Sequence, residues 1–447
     1  MRPELLKRFA APVPRYTSYP TAPHFSAAVD AKTYGTWLDE LPSGLPISLY
    51  VHIPFCSELC WYCGCSTKIT RKDAPVERYL AALIREIDSV ADRITSTCRV
   101  THMHWGGGSP NILHPDQIRQ LADKLKHRFA LTDDAEFAVE VDPRGLDEER
   151  IKAFAEAGIN RVSIGVQDFN QAVQDAINRQ QSFALTAWVV DTLRAHGVKG
   201  VNIDLVYGLP FQTLETVDQT MSKVLELKPD RIALFGYAHL PQRITHQRLI
   251  DDDTLPDTPA RFAQVSKASE RLTAAGYVSV GLDHYALPTD PLAAGTVRRN
   301  FQGYTTDAAT ALVGLGATSI GKLPQGYVQN AVAIADYERR VSDGGLATVR
   351  GHAMSAEDEM RSFVIERLMC TFEFPADEIR SQYGSLAEPI LAQAASLRTS
   401  DVADMIVPAA SGEGFTIAEM GRIFVRSICA KFDAYLGKGT AQHSAGV

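Results

Sequence analysis

Four of the seven cysteines fall within ten residues, in the run Cys56-Ser57-Glu58-Leu59-Cys60-Trp61-Tyr62-Cys63-Gly64-Cys65. The spacing is C-x3-C-x2-C, with a further C-x-C step. Thiolates are the usual ligands of iron–sulfur clusters. Three thiolates on a four-iron cluster leave one iron open, and that iron can take an amine and a carboxylate from one small molecule, as S-adenosylmethionine requires. A structural zinc ion is the competing reading. Zinc favours two knuckles or Cys/His sets well separated in sequence, and no second pair follows here. A secreted disulfide scaffold would be shorter and more evenly spaced. Cys98, Cys370 and Cys429 stand in strand or helix patterns and read as buried structural thiols. The role of Cys65 stays open, because three cysteines already suffice.

A second feature is Trp105-Gly106-Gly107-Gly108-Ser109-Pro110. Glycines let backbone N–H and C=O groups approach a ligand closely, so this run is either a cofactor platform or a strained turn. Three decoys are set aside. Gly316-Ala317-Thr318-Ser319-Ile320-Gly321-Lys322 has P-loop spacing, but Leu323 stands where the magnesium-binding hydroxyl belongs. Gly314-Leu315-Gly316 fails as a dinucleotide fingerprint, because Ser319 replaces its third glycine. His102 and His104 alternate along a strand with no third ligand, which favours packing.

The elements that must carry these groups alternate. Strands are predicted over 47–53, 99–105, 136–141, 161–166, 201–207, 231–237 and 277–282. Helices are predicted near 76–90, 115–129, 147–157, 183–196, 214–226 and 258–275, with Gly197 stopping the fourth. Such alternation implies right-handed parallel units. The fold class is therefore α/β, a partial or complete (β/α) TIM-type barrel of parallel strands, with function at the C-terminal strand ends. The predicted organisation is an N-terminal arm (1–45), a barrel domain (46–330) and a mostly helical C-terminal domain (331–447). In the last, helices are expected over 354–371 and within 415–436, with a hairpin over 406–417. The arm is rich in proline and runs through Arg15-Tyr16-Thr17-Ser18-Tyr19-Pro20. It is either a packed surface arm or a cover for the site. The residues from Gly437 on read as a loose tail.

Composition bounds the rest. The formal charge is 45 − 53 = −8, which argues against a nucleic-acid partner. No apolar run is long enough to span a membrane and no secretory leader is evident, so a cytoplasmic protein is expected, acting as a monomer.

The cysteine spacing after a first barrel strand, with the aromatic Tyr62 before the third thiol, resembles the radical S-adenosylmethionine superfamily. Over nearly the whole chain the segments PRYTSYPTAPHF, LYVHIPFCSELCWYCGC, HWGGGSP, EVDPRG, GVQDFN, NIDLVYGLP, YAHLP and RNFQGYTT, in this order, resemble the oxygen-independent coproporphyrinogen III oxidases. The resemblance implies oxidative decarboxylation of two propionates of coproporphyrinogen III to vinyls, giving protoporphyrinogen IX, by 5′-deoxyadenosyl radical hydrogen abstraction. It implies a [4Fe–4S] cluster on Cys56, Cys60 and Cys63, and two S-adenosylmethionine molecules per active site. Tyr50, Gly107, Glu140 and Ile320 would contact the first. Tyr62, Gly108, Ser109, Gln167, Arg179, Asp204 and Ala238 would line the second. An external electron donor and an external acceptor are implied partners, beside the tetrapyrrole substrate. Arg15, Arg144, Arg298 and Arg299 are candidates for its carboxylates. A related haem chaperone and a haem-degrading radical methyltransferase are the rivals; the arm and the Cys63-Gly64-Cys65 step favour the enzyme.

Overall fold

The computed structural model describes residue 9 and residues 12–94, 97–409 and 412–437. Twelve strands form one sheet. In chain order they are β1 (Pro46–Ile53), β2 (Arg99–Gly107), β3 (Ala130–Val141), β4 (Arg161–Gln167), β5 (Gly200–Tyr207), β6 (Arg231–Gly236), β7 (Val278–Val280), β8 (His284–Ala286), β9 (Ala311–Leu315), β10 (Ile320–Leu323), β11 (Gly326–Asn330) and β12 (Thr348–Ala353). Across the sheet the order is β12-β11-β10-β9-β1-β2-β3-β4-β5-β6-β8-β7. The stretch from β9 to β6 is parallel; the outer strands on both sides are antiparallel. The two edges do not pair, so the barrel is partial.

Period-two patterning makes these strands two-faced. On β1, Ile47, Leu49, Val51 and Ile53 are at most 1% exposed and belong to the main core. The alternate positions carry polar groups. Ser48, His102, His104, Glu136, Glu140, Arg161, Ser163, Asn202 and Asp204 all line one interior cavity. The outer face is covered by helices, among them Asp73–Ala91, Pro115–Arg128, Phe183–Ala195 and Leu214–Leu227. On the first, Val76, Leu80, Leu83, Ile87 and Val90 are buried at helical spacing. On the third, the Ser182 hydroxyl caps the start by accepting from the Leu185 N–H. Gly197, at φ +87, follows its end.

The strand expected over 277–282 does exist, but it does not close the parallel series. It is the antiparallel edge strand β7, because only a short turn joins it to β8 and a tight connection forces antiparallel pairing. The seventh parallel strand is β9, inserted beside β1.

The sheet continues past residue 330 through β12, and a second apolar core then begins. It gathers Val364 and Leu368 of the helix Ala356–Thr371 with Phe374, Phe415, Phe424 and Phe432. The hairpin expected over 406–417 forms between Ile406–Pro408 and Phe415–Ile417. The helix expected within 415–436 is only Val425–Cys429 between two 3-10 turns. Tyr16 and Tyr19 of the arm are buried in this same core. Arg426 donates to the carbonyls of Pro14 at 3.0 Å and Val13 at 2.5 Å. The tail expected beyond Gly437 lies outside the described residues. Among the described residues no helix is long and apolar enough to cross a membrane.

Candidate active site

The cysteine loop leaves the C-terminal end of β1 and is pinned on every side. Gly108 N–H donates to the Ile53 carbonyl at 2.9 Å, and Ser109 N–H to the Phe55 carbonyl at 2.8 Å. Lys68 and Thr70 N–H close the loop on Pro54 and Cys56. Trp61 N–H reaches the Ile177 carbonyl at 2.9 Å, and Asn178 Nδ2 reaches the Leu59 carbonyl at 2.7 Å. His246 Nε2 donates to the Cys63 carbonyl, and Gln247 Nε2 to those of Tyr62 and Ala238. The glycines after β2 make this packing possible. A Cβ on Gly107 would lie 2.3 Å from the His52 ring, and one on Gly108 would lie 2.4 Å from the Phe55 oxygen. Their lack of side chains thus serves the approach of two chain segments, and the same backbone faces the cavity.

That cavity, about 180 Å³, brings together Cys56, Cys60 and Cys63 with Tyr62, Gly107, Gly108, Ser109, Glu140, Gln167, Arg179 and Asp204. They come from the C-terminal halves or ends of five successive parallel strands and the loops that follow. Tyr50, Ala238 and Ile320 do not line it. Tyr50 stacks on His104 with ring centres 6.0 Å apart, and His104 Nε2 lies 3.0 Å from Glu140. Ile320 sits beyond Tyr50's sheet neighbour Gly314. Ala238 reaches the loop through Gln247.

Charge is sorted within the site. Burial pushes the Cys56 thiol up to about 12, helped by Cys63 and Cys60. A hydrogen bond from Cys65 holds the Cys63 thiol low despite burial, with His246 and Arg179 adding positive charge. Arg179 Nη1 contacts Cys60 Sγ at 3.4 Å and Asp142 at 3.0 Å, and Nη2 donates to the Gly165 carbonyl. Among the described residues its buried Nε has no hydrogen-bond partner. Arg144 also reaches Cys60 Sγ, at 3.3 Å, while pairing with Asp142 and Glu58. Burial raises the Glu140 carboxyl, but His104 and the Gly107 N–H outweigh it and hold the group below its usual range. Asp204 is pushed up to about 7 by burial and by the charge of Glu140.

Three thiols crowded on one cavity wall repel as thiolates unless cationic iron sits between them. Thiols, flanking guanidinium charge and a bare glycine ledge fit a cluster with a small amino acid on it.

A family model for the radical SAM superfamily matches residues 50–224. The chain is 46% identical to the oxygen-independent coproporphyrinogen III oxidase of Bradyrhizobium diazoefficiens, over 97% of each sequence. It is 45% identical to the enzyme of the same name from Paracoccus denitrificans, over 99% of this chain and 98% of that one. The chain belongs to the oxygen-independent coproporphyrinogen III oxidases. The solved coproporphyrinogen III oxidase of Escherichia coli, a radical SAM enzyme, superposes with a TM-score of 0.90 at 38% identity, covering 94% of this chain and 97% of that one.

For this coproporphyrinogen oxidase fold the four candidate arginines separate. Arg144 is engaged at the cysteine loop, with Glu58 and Asp142 as its carboxylate partners. Arg298 pairs with Glu366 at 3.5 Å. Arg15 and Arg299 line a cleft that also touches Cys65. The sequence reading passed over Asp142, the hub of two arginines, although it follows the end of β3, where function was expected. The decoy loop is explained too: its Gly316 and Ala317 N–H groups are taken by Glu86 and Tyr79, and those of Thr318 and Ser319 by the Ala331 and Gly316 carbonyls.

Proposed function

We propose that this chain decarboxylates two propionates of coproporphyrinogen III oxidatively to vinyl groups, giving protoporphyrinogen IX. The observation that carries the reading is the convergence of Cys56, Cys60 and Cys63, a glycine ledge and the carboxylates of Glu140 and Asp204 on one cavity, in a chain whose full-length relatives bear that activity's name. When bound, a [4Fe–4S] cluster with S-adenosylmethionine supplies one-electron chemistry able to break an unactivated C–H bond.

The protein's part is to hold, orient and shield. Cys56, Cys60 and Cys63 would bind iron. Tyr50, Gly107, Glu140 and Ile320 would seat the first S-adenosylmethionine, with Glu140 kept ionised by His104 for an ammonium group. Tyr62, Gly108, Ser109, Gln167, Arg179, Asp204 and Ala238 would seat a second molecule. Room for two is supported by the adjoining interior cavity of about 270 Å³, which shares Glu140, Ser163 and Asp204 with the first. The arm (1–45), barrel (46–330) and C-terminal domain (331–447) would act as one cytoplasmic monomer, with an external electron donor and an external acceptor.

The test is anaerobic. The reconstituted protein, given dithionite, S-adenosylmethionine and coproporphyrinogen III, should form 5′-deoxyadenosine and protoporphyrinogen together. Deoxyadenosine without protoporphyrinogen would reject the substrate, and haem binding would be measured next.

A further inference from the structure

A third cavity, about 360 Å³, lies between the arm, the barrel and the C-terminal core, and shares Cys65 with the cluster cavity. Four arginines line it: Arg15, Arg261, Arg299 and Arg426. Among the described residues, Asp283 is its one lining carboxylate. Arg15 Nη2 donates to the Gly236 carbonyl at 3.0 Å, and Arg261 Nη2 to the Tyr237 carbonyl at 2.9 Å. Neither carbonyl cancels a full charge. Arg426 donates to carbonyls of the arm, yet its charge is felt in the cleft: burial and then Arg15 hold it down to about 10.

Arg299 is the informative member. Its side chain is only 6% exposed and lies 3.8 Å from Asp283, too long for a hydrogen bond. Its guanidinium stacks on Tyr304 at 4.4 Å. Among the described residues, its buried Nε and Nη1 have no hydrogen-bond partner. Asp283 is held at about 2, against burial, chiefly by Arg299, and it also accepts from His284 at 2.7 Å. A buried guanidinium with idle donors is costly unless a further anion completes it. Forked N–H groups match a carboxylate.

We infer that this cleft binds propionate carboxylates of the substrate, with Arg299 and Arg261 as the clamp and Arg15 as the lid-side contact. The inference rests on the proposed function and names where its substrate sits. A porphyrinogen anchored here has its remaining edge toward Cys65 and the cluster cavity. Propionates held by guanidinium stay carboxylates during a turnover, so the cleft positions the substrate and does no chemistry itself.

The holoenzyme tests this with coproporphyrinogen III and its uncharged tetramethyl ester as probes. Arg299→Gln and, separately, Arg261→Gln should raise KM and the anaerobic dissociation constant for the acid roughly tenfold or more, with a smaller change in kcat. The substitutions should leave binding of the ester, already weak, unaltered. Arg299→Lys should recover part of the loss, which separates charge from misfolding. Arg119→Gln, far from the cleft and paired with Glu156 and Asp116, should leave KM within about twofold. Two variants that convert the acid with wild-type KM would overturn the inference while leaving the function standing. Weakened S-adenosylmethionine binding with unchanged KM would also overturn it, assigning the cleft to the cofactor's carboxylate. A wild-type enzyme that neither binds nor converts the porphyrinogen would sink function and inference together.

Discussion

Arginines occur on both sides of Cys65, and the two groups differ in what answers their charge. At the cysteine loop, Arg144 and Arg179 share Asp142, and Arg144 adds Glu58. In the cleft, Arg15, Arg261 and Arg299 face, among the described residues, one lining carboxylate, Asp283. A guanidinium that has found its carboxylate is scaffold; one that has not is waiting for a ligand. The presence of arginine says little, and its compensation says much.

The contrast can be tested from its strongest point downward. Cys60→Ala removes the sulfur that both loop arginines touch. It should abolish the broad absorbance near 400 nm and all deoxyadenosine formation in the reconstituted protein. Asp142→Asn takes away the shared carboxylate and leaves two largely buried cations. Stability should fall by about 3 kcal/mol, read from urea unfolding of the apo protein.

Asp204 is the mirror case, a buried carboxylate that among the described residues forms no ion pair with an arginine, although Arg179 lines the same cavity. Its folded value of about 7 lies above the ordinary one near 3.8. Through that window the folded apo protein keeps a proton that the unfolded chain has lost, so stability falls as pH rises from 4 to 7. Asp204→Asn should therefore stabilise the apo protein at pH 8 by on the order of 2 kcal/mol. The gain should shrink toward zero as pH approaches 4. A gain that persists at low pH would show that the charge is not its origin. The smallest effect belongs to Arg298→Gln, whose half-exposed ion pair with Glu366 should be worth under about 0.5 kcal/mol.

Most of the parallel sheet was legible because its signal is local. Apolar alternation over 47–53 or 201–207 and helical spacing over 183–196 lie within a few turns of chain. The cysteine loop was legible because its ligands share one segment. The place of β9 was not, since its partner β1 lies far away in sequence and short strands carry little pattern. Tyr50, Ala238 and Ile320 were placed at the cofactor site by resemblance, and here they flank the cluster cavity without lining it. Arg261 sits in a helix interior, Thr258–Ala274, where an arginine normally reads as solvated surface. Arg426 was equally silent, because the Pro14 carbonyl it holds is 412 residues away. Groups assembled across such spans leave no periodic trace.

The position of β1 between β2 and β9 bears on how the chain is made. From Ile53 to Ala311 is 258 residues. At roughly 5–20 residues per second, on the order of tens of seconds of synthesis separate the first strand from the one that covers its second edge. During that interval the nascent chain has its thiol loop outside the ribosome while β1 still has an unpaired edge. Iron loading before β9 arrives would act on a loop whose supporting strand β1 is paired along one edge only. The topology therefore favours insertion of the cluster after translation is complete.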